Sequence, residues 1–123
     1  MAGYKHFLVR NEDGVTIVRL LDITLLRQQV LDALREELLS YVDFARPDKL
    51  LISFPEVEYC TSSAISGLLS VKRRLSAHGG EVKLCEPTDA VAESFKRLGL
   101  TDKVFPVYDS VEDGVKSFAG QLP

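Results

Sequence analysis

The stretch Leu50–Leu75, LLISFPEVEYCTSSAISGLLSVKRRL, decides which fold this chain can adopt. Its first residues, Leu50 to Phe54, form an almost continuous apolar run, which is typical of a strand buried on both faces of a parallel sheet. Pro55 ends the strand, because proline cannot donate a hydrogen bond to a sheet ladder. From Ala64 onward, apolar residues recur at helical spacing, so the sequence predicts a strand, a loop and a helix.

Three adjacent hydroxyl residues, Thr61, Ser62 and Ser63, lie where the loop leads into this helix. The first N–H groups of a helix have no partner within it, and its dipole places partial positive charge there. A single Ser or Thr cap satisfies that need, and three residues exceed it. A phosphate on one of them would bring about −1.5 to −2 charges to a helix end that tolerates anions. We therefore expect phosphorylation to change the surface without unfolding the chain.

The rest of the sequence predicts a hairpin followed by alternating helices and strands. Predicted strands over 4–10 and 15–21 flank a turn at 11–14. The later predicted elements are a helix over 25–44, the strand and helix of the opening stretch, a strand over 82–85, a helix from 88 to 98, an edge strand over 104–107 and a helix that follows Ser110. This order predicts one α/β domain spanning residues 1–123, with a mixed, mostly parallel sheet of about five strands and four helices packed on it.

Composition and charge restrict the function. A chain of 123 residues with a net charge of −3 forms one domain, and its charge argues against nucleic acid as a partner. We find no signal peptide and no apolar run of membrane-spanning length, so we expect a cytoplasmic protein without a membrane partner. Cys60 and Cys85 lack CxxC spacing and the His partners of a zinc site, which predicts buried free thiols, no metal and no cofactor.

Enzyme motifs that place reactive groups after a parallel strand are incomplete in this sequence. Cys60 stands where phosphatases and rhodaneses carry a thiolate, but the arginine that a phosphatase loop needs six positions later is Ser66. No phosphate-binding glycine motif is present. His6 and His78 have no nucleophile nearby in the sequence, and we expect both to be solvated. The sequence therefore predicts a protein that is not an enzyme.

The C-terminal run RLGLTDKVFPVYDSVEDGVKSF, residues 97–118, resembles the pattern of STAS domains, the family of bacterial anti-sigma factor antagonists and related modules. Residues 57–69 resemble a second family pattern, V-x-F-M-D-S-[ST]-G-L, which leads into a helix. In this match Tyr59 stands for the aromatic residue and Ser62 for the phospho-acceptor serine. Three residues depart from the family: Thr61 replaces an aspartate, Ala64 a glycine, and Leu21 the glycine of an earlier acidic loop.

This resemblance implies a regulatory switch based on protein–protein binding. The unphosphorylated chain would bind an anti-sigma factor, in this family usually a serine kinase of histidine-kinase-like fold, and would thereby free a sigma factor. Phosphorylation of Ser62, with Ser63 and Thr61 as alternative acceptors, would end binding until a cognate phosphatase reversed it. The residues implied in partner binding are Asp22, Ile23, Thr24, Tyr59, Thr61, Ser62, Ser63 and Ser66.

Two alternatives stay open. The same fold could be a phosphorylation-independent interaction module, in which Thr61 and Ser62 serve only as caps. It could also be a receptor for a small ligand or anion that binds at the same helix start. The sequence does not predict an oligomeric state.

Overall fold

The computed structural model describes residues 4–22, 24–25, 27–99 and 104–120. Strands and helices alternate along the chain after an initial hairpin. The elements are β1 (Phe7–Glu12), β2 (Val15–Leu20), β3 (Thr24–Leu25), α1 (Gln28–Ala45), β4 (Lys49–Ser53), β5 (Tyr59–Cys60), α2 (Ser62–Ser76), β6 (Glu81–Cys85), α3 (Asp89–Arg97), β7 (Val107–Tyr108) and α4 (Val111–Phe118).

Five strands form the main sheet, in the order β1-β2-β4-β6-β7. β1 and β2 are antiparallel, whereas β2, β4, β6 and β7 run parallel to one another. The predicted mixed sheet with a hairpin at one edge and four helices is therefore confirmed. A separate parallel pair, β3 and β5, was not predicted.

The residues of β4 divide the hydrophobic core between the two faces of the sheet. Leu50 and Ile52 belong to the larger core, under α1, α2 and α3. Leu51 points to the opposite face and packs with Val115 of α4. A strand buried on both faces explains why the run from Leu50 to Phe54 carries almost no polar residue. α4 lies so close to the sheet that a Cβ atom on Gly114 would come within 2.7 Å of Leu51 Cδ1.

Several predicted boundaries are wrong by two to three residues. α1 begins at Gln28 rather than at residue 25, because Leu25 pairs with Cys60 between β3 and β5. β1 begins at Phe7 and continues to Glu12, which shortens the hairpin turn to two residues, Asp13 and Gly14, both with positive φ. Such a turn matches the twist of the flanking strands.

Two further boundaries differ, at α2 and at the last strand. α2 begins at Ser62 rather than Ala64, because Thr61 already serves as its cap. The last strand is Val107–Tyr108 rather than 104–107, although Phe105 is fully buried.

Two side chains lie in environments that differ from the prediction. Leu98, the last residue of the predicted helix from 88 to 98, instead follows α3 as its C-cap and is 45% exposed. His6, expected to be solvated, is half-buried against Asp22. His78 is exposed, as predicted.

Candidate functional site

Thr61 caps α2 and joins it to β3. Its Oγ1 accepts a hydrogen bond from the Ala64 N–H at 3.3 Å and donates one to the Leu25 carbonyl at 3.4 Å. The Thr61 N–H donates to the same carbonyl at 3.3 Å. One of the three hydroxyls is therefore occupied by a structural role, and it is the one that replaces the aspartate of the family pattern.

Ser62 and Ser63 follow in the first turn of α2, and both side chains are exposed. Within the described ranges, the Ser62 hydroxyl has no hydrogen-bond partner. The first turn of α2 contains no acidic residue. Free N–H groups and the positive end of the dipole thus lie beside a hydroxyl that the fold does not use.

The β3–β5 pair brings the loop after β2 to the start of α2. Thr24 lies opposite Tyr59 in this pair, and Leu25, which is 1% exposed, lies opposite Cys60. The Tyr59 side chain is 58% exposed, so its ring is available to a partner. Thr24, Tyr59 and the first turn of α2 therefore form one continuous surface, which we call the α2-start surface. The predicted site residue Ile23 lies outside the described residues.

Asp22, the other predicted residue of that loop, faces the N-terminal segment. Its Oδ2 lies 2.7 Å from His6 Nδ1, and His6 Nε2 lies 3.9 Å from Glu37 Oε2 on α1. Glu37 Oε1 also accepts hydrogen bonds from the N–H groups of Lys5 and His6, at 3.0 and 3.2 Å. Asp22 therefore helps to hold the loop in place. Sequence reasoning missed the contact between His6 and Glu37, because the two residues lie 31 positions apart along the chain.

A groove of about 360 Å³ lies between α1 and α2 and opens next to the α2-start surface. Both walls combine polar and apolar residues. The α2 wall is made of Ser63, Ala64, Ser66, Gly67, Leu68 and Ser70, and the α1 wall of Gln28, Leu31, Asp32, Leu34, Arg35 and Leu38. Ser66, a predicted partner-binding residue, is exposed on this groove. The spacing of Ser63, Gly67 and Ser70 on one helix face is the sequence signal that could have revealed it.

The two thiols are poor candidates for catalysis. Burial raises the pKa of Cys60 to about 11 and that of Cys85 to about 12. Both thiols are therefore protonated at neutral pH, whereas a catalytic cysteine needs a lowered pKa. Cys60 is half-buried, so the prediction of two buried thiols holds fully for Cys85 alone. The described part of the chain contains no group of three or more potential metal ligands.

The family model of the STAS domain matches residues 7–114, and the chain belongs to this family. A STAS domain protein from Planctomyces limnophilus is 22% identical, with 92% of this chain and 97% of that chain covered and a TM-score of 0.78. An anti-sigma factor antagonist from Mycobacterium paratuberculosis is 24% identical, with 90% and 91% covered and a TM-score of 0.77. Unphosphorylated SpoIIAA is 18% identical, with 95% and 99% covered and a TM-score of 0.74.

At these identities the likeness establishes the shared fold. None of the curated proteins compared with the chain matches it in sequence. Among the described residues, no helix has both the length and the apolar character needed to cross a bilayer.

Proposed function

We propose that this chain is a non-enzymatic, cytoplasmic regulator of the anti-sigma factor antagonist kind. Its unphosphorylated form binds an anti-sigma factor that is also a serine kinase of histidine-kinase-like fold, and this binding frees a sigma factor. Phosphorylation of Ser62 ends the binding, and a phosphatase restores it. The α2-start surface, with Thr24, Tyr59, Ser62 and Ser63, is the docking face, and Ser66 extends it along the groove.

One observation carries this proposal: Ser62 is exposed and unused at a helix start whose cap is supplied by Thr61. A kinase can reach its hydroxyl without opening the fold. A phosphate there would lie among free N–H groups at the positive end of a helix, where anions are stabilised. The modified chain therefore stays folded.

The same phosphate opposes binding, because a partner that covers the α2-start surface would remove water from a dianion. Burying a charge without a paired cation costs several kcal/mol. Tyr59 supplies an exposed aromatic ring next to the acceptor, and rings of this kind are frequent energetic centres of interfaces. SpoIIAA has been solved in unphosphorylated and phosphorylated forms, which supports transferring such a switch to this chain as a proposal.

The test is to incubate the chain with its cognate kinase and ATP and to map added phosphate by mass spectrometry. We expect modification of the wild type and of Ser63→Ala, and none of Ser62→Ala. Because the Ser62 side chain makes no hydrogen bond in the described ranges, Ser62→Ala should retain its fold and serve as the negative control for phosphorylation. Phosphate on Ser62→Ala would contradict Ser62 as the acceptor, and a wild type that the cognate kinase leaves unmodified would contradict the switch.

The groove between α1 and α2 favours a second candidate function, a receptor for a small polar ligand. Its volume of about 360 Å³ and its serine-rich wall suit such a ligand. This function predicts that a metabolite raises the melting temperature of the wild type, by binding linkage, and that Ser66→Leu abolishes the shift. The switch proposal predicts no such ligand dependence.

A further inference from the structure

β1 is the long open edge of the main sheet. It pairs with β2 on one side, over its six residues and without a bulge, and no described strand pairs with its other side. The opposite edge, β7, has two residues. Proteins usually protect an edge with a short strand, charged side chains, proline or a bulge. Phe7–Glu12 has six residues, no proline and no bulge, and its two charged side chains, Arg10 and Glu12, pair with each other.

The hydrogen bonds of the hairpin fix which backbone groups of β1 face outward. The Leu21 N–H donates to the His6 carbonyl at 3.0 Å, so the backbone N–H and C=O groups of His6 point toward β2. Because the direction of the backbone N–H and C=O groups alternates along a strand, those of Leu8 and Arg10 also point toward β2. The outward N–H and C=O groups therefore belong to Phe7, Val9 and Asn11. These three residues are arranged symmetrically about Val9.

The side chains of β1 leave apolar area exposed on both faces of the sheet. Leu8 is 56% exposed and Val9 is 36% exposed. On the face that carries Leu8, a hollow of about 270 Å³ is lined by Leu8, Val9, Arg10, Ile17 and Arg19. Arg10 and Glu12 lie 3.7 Å apart on that same face, so the edge as a whole carries little net charge.

We propose that β1 pairs with β1 of a second copy of this chain, antiparallel and about a two-fold axis at Val9, which joins the two sheets into one. In this register the outward groups of Phe7 meet those of Asn11, and Val9 meets its own copy. Leu8 of one chain then lies opposite Arg10 of the other chain. Within that second chain, Arg10 pairs with Ile17 of β2. Leu8 thus enters the hollow of the second copy, against the aliphatic part of Arg10.

The charge pattern excludes one neighbouring register, and the length of the strand disfavours the other. The outward backbone groups of the two copies face each other only in registers that differ from this one by an even number of residues. A shift of two residues moves the two-fold axis by one residue along β1. Moving the axis by one residue to Arg10 would place two like charges directly opposite each other, which is destabilising. The axis at Val9 avoids this clash and pairs residues 7–11 of β1, whereas an axis at Leu8 would pair only residues 7–9.

Analytical ultracentrifugation over a concentration series, from low micromolar to several hundred micromolar, tests the pairing. We expect the wild-type mass to rise from one chain to two. Val9→Lys places two lysines across the axis and should weaken dimerisation by about tenfold or more. Leu98→Lys is the control, because Leu98 is 45% exposed at the end of α3, which packs through Phe95 on Phe105 just before β7 at the opposite edge of the sheet, and this variant should dimerise like the wild type.

Cross-linking tests the register independently of the lysine variant. In the proposed pair the two Val9 Cα atoms are about 5.5 Å apart, within the range of a disulfide. Mild oxidation should therefore link Val9→Cys into a covalent dimer. Asn11→Cys has the same outward direction but lies opposite Phe7, and it should stay unlinked. A wild type that is monomeric at the highest concentration, a Val9→Lys variant that dimerises equally, or linkage at position 11 instead of 9 would overturn the proposal.

Discussion

Both α2 and α4 follow a residue whose side-chain hydroxyl caps the helix, but the two helices differ in the residues of their first turn. Thr61 accepts a hydrogen bond from the Ala64 N–H at 3.3 Å, and Ser110 accepts one from the Asp113 N–H at 3.0 Å. After the cap, α4 places Glu112 and Asp113 in its first turn, whereas the first turn of α2 contains no acidic residue.

This difference separates a structural helix start from one that is open to regulation. Fixed carboxylates complement the dipole of α4 permanently. At α2, Ser62 and Ser63 leave the same positive end without a charge, so an anion can be added and removed there. α4 is also pressed against Leu51 through Gly114, while the start of α2 is exposed. The following predictions test that contrast.

The largest effect on stability is expected at Gly114. Gly114→Val places its Cβ within 2.7 Å of Leu51 Cδ1, so α4 must move away from the sheet. We expect the free energy of unfolding to fall by about 2 kcal/mol, as overpacking does elsewhere. Urea unfolding followed by circular dichroism measures it.

Gly67 of α2 is the matched control for Gly114. A Cβ there would meet the Arg35 side chain at an ordinary 3.8 Å. Gly67→Ala should therefore raise the free energy of unfolding, by roughly 0.5–1 kcal/mol, because alanine favours a helix. Equal losses for both variants would show that α4 is not packed more closely than the groove side of α2.

The second effect separates the cap of α2 from the residue that follows it. Thr61→Ala removes the hydrogen bonds to Ala64 and Leu25, and should lower the free energy of unfolding by about 1 kcal/mol or somewhat more. Ser62→Ala should change it by less than about 0.5 kcal/mol, as is usual for exposed positions. The opposite ranking in urea unfolding would mean that Ser62, rather than Thr61, stabilises the helix.

A smaller effect follows from exchanging charge between the two helix starts. Ser63→Glu adds a carboxylate to the first turn of α2 and should raise the free energy of unfolding by about 0.5 kcal/mol at low salt. Asp113→Asn removes one from α4 and should lower it by a similar amount. Both changes should shrink at high salt, because salt screens exposed charges. A loss of stability for Ser63→Glu would contradict an anion-tolerant α2 start.

The smallest effect near neutral pH is expected at the two thiols, Cys60 beside the α2 start and Cys85 under α4. Their folded-state pKa values, about 11 and about 12, lie above the ordinary value of 9.0. Their contribution to stability is therefore constant below pH 9.0 and is lost as the pH rises through these raised values. Iodoacetamide should modify Cys60 slowly at neutral pH and Cys85 more slowly still, whereas both react readily in urea. Rapid modification of folded Cys60 would contradict a protonated thiol.

The architecture was predictable because its signals are local and strong. The apolar run at Leu50–Phe54, the Asp13-Gly14 turn and the helical spacing after Ala64 each follow from the residues themselves. The β3–β5 pair was not predictable, since strands of two residues carry no periodic pattern. That omission is why α1 was expected to begin at residue 25.

The site was predictable only in part. The hydroxyl row identified the start of α2 correctly, but the sequence could not assign the cap to Thr61 over its neighbours, because each could accept the same hydrogen bond. The contacts of Asp22 with His6, and of His6 with Glu37, join residues distant in the chain. The groove between α1 and α2 likewise depends on how the helices pack. The role of Ser62 as phospho-acceptor stays a prediction.

The most direct test compares the affinity of the unmodified chain and of the Ser62-phosphorylated chain for the anti-sigma factor, with the free energy of unfolding measured on the same samples. We predict that phosphorylation weakens binding by about 30-fold or more, equivalent to at least about 2 kcal/mol, while the free energy of unfolding stays the same or rises slightly. Equal affinities, or a loss of affinity that follows a loss of folding, would contradict a docking surface switched by one added anion.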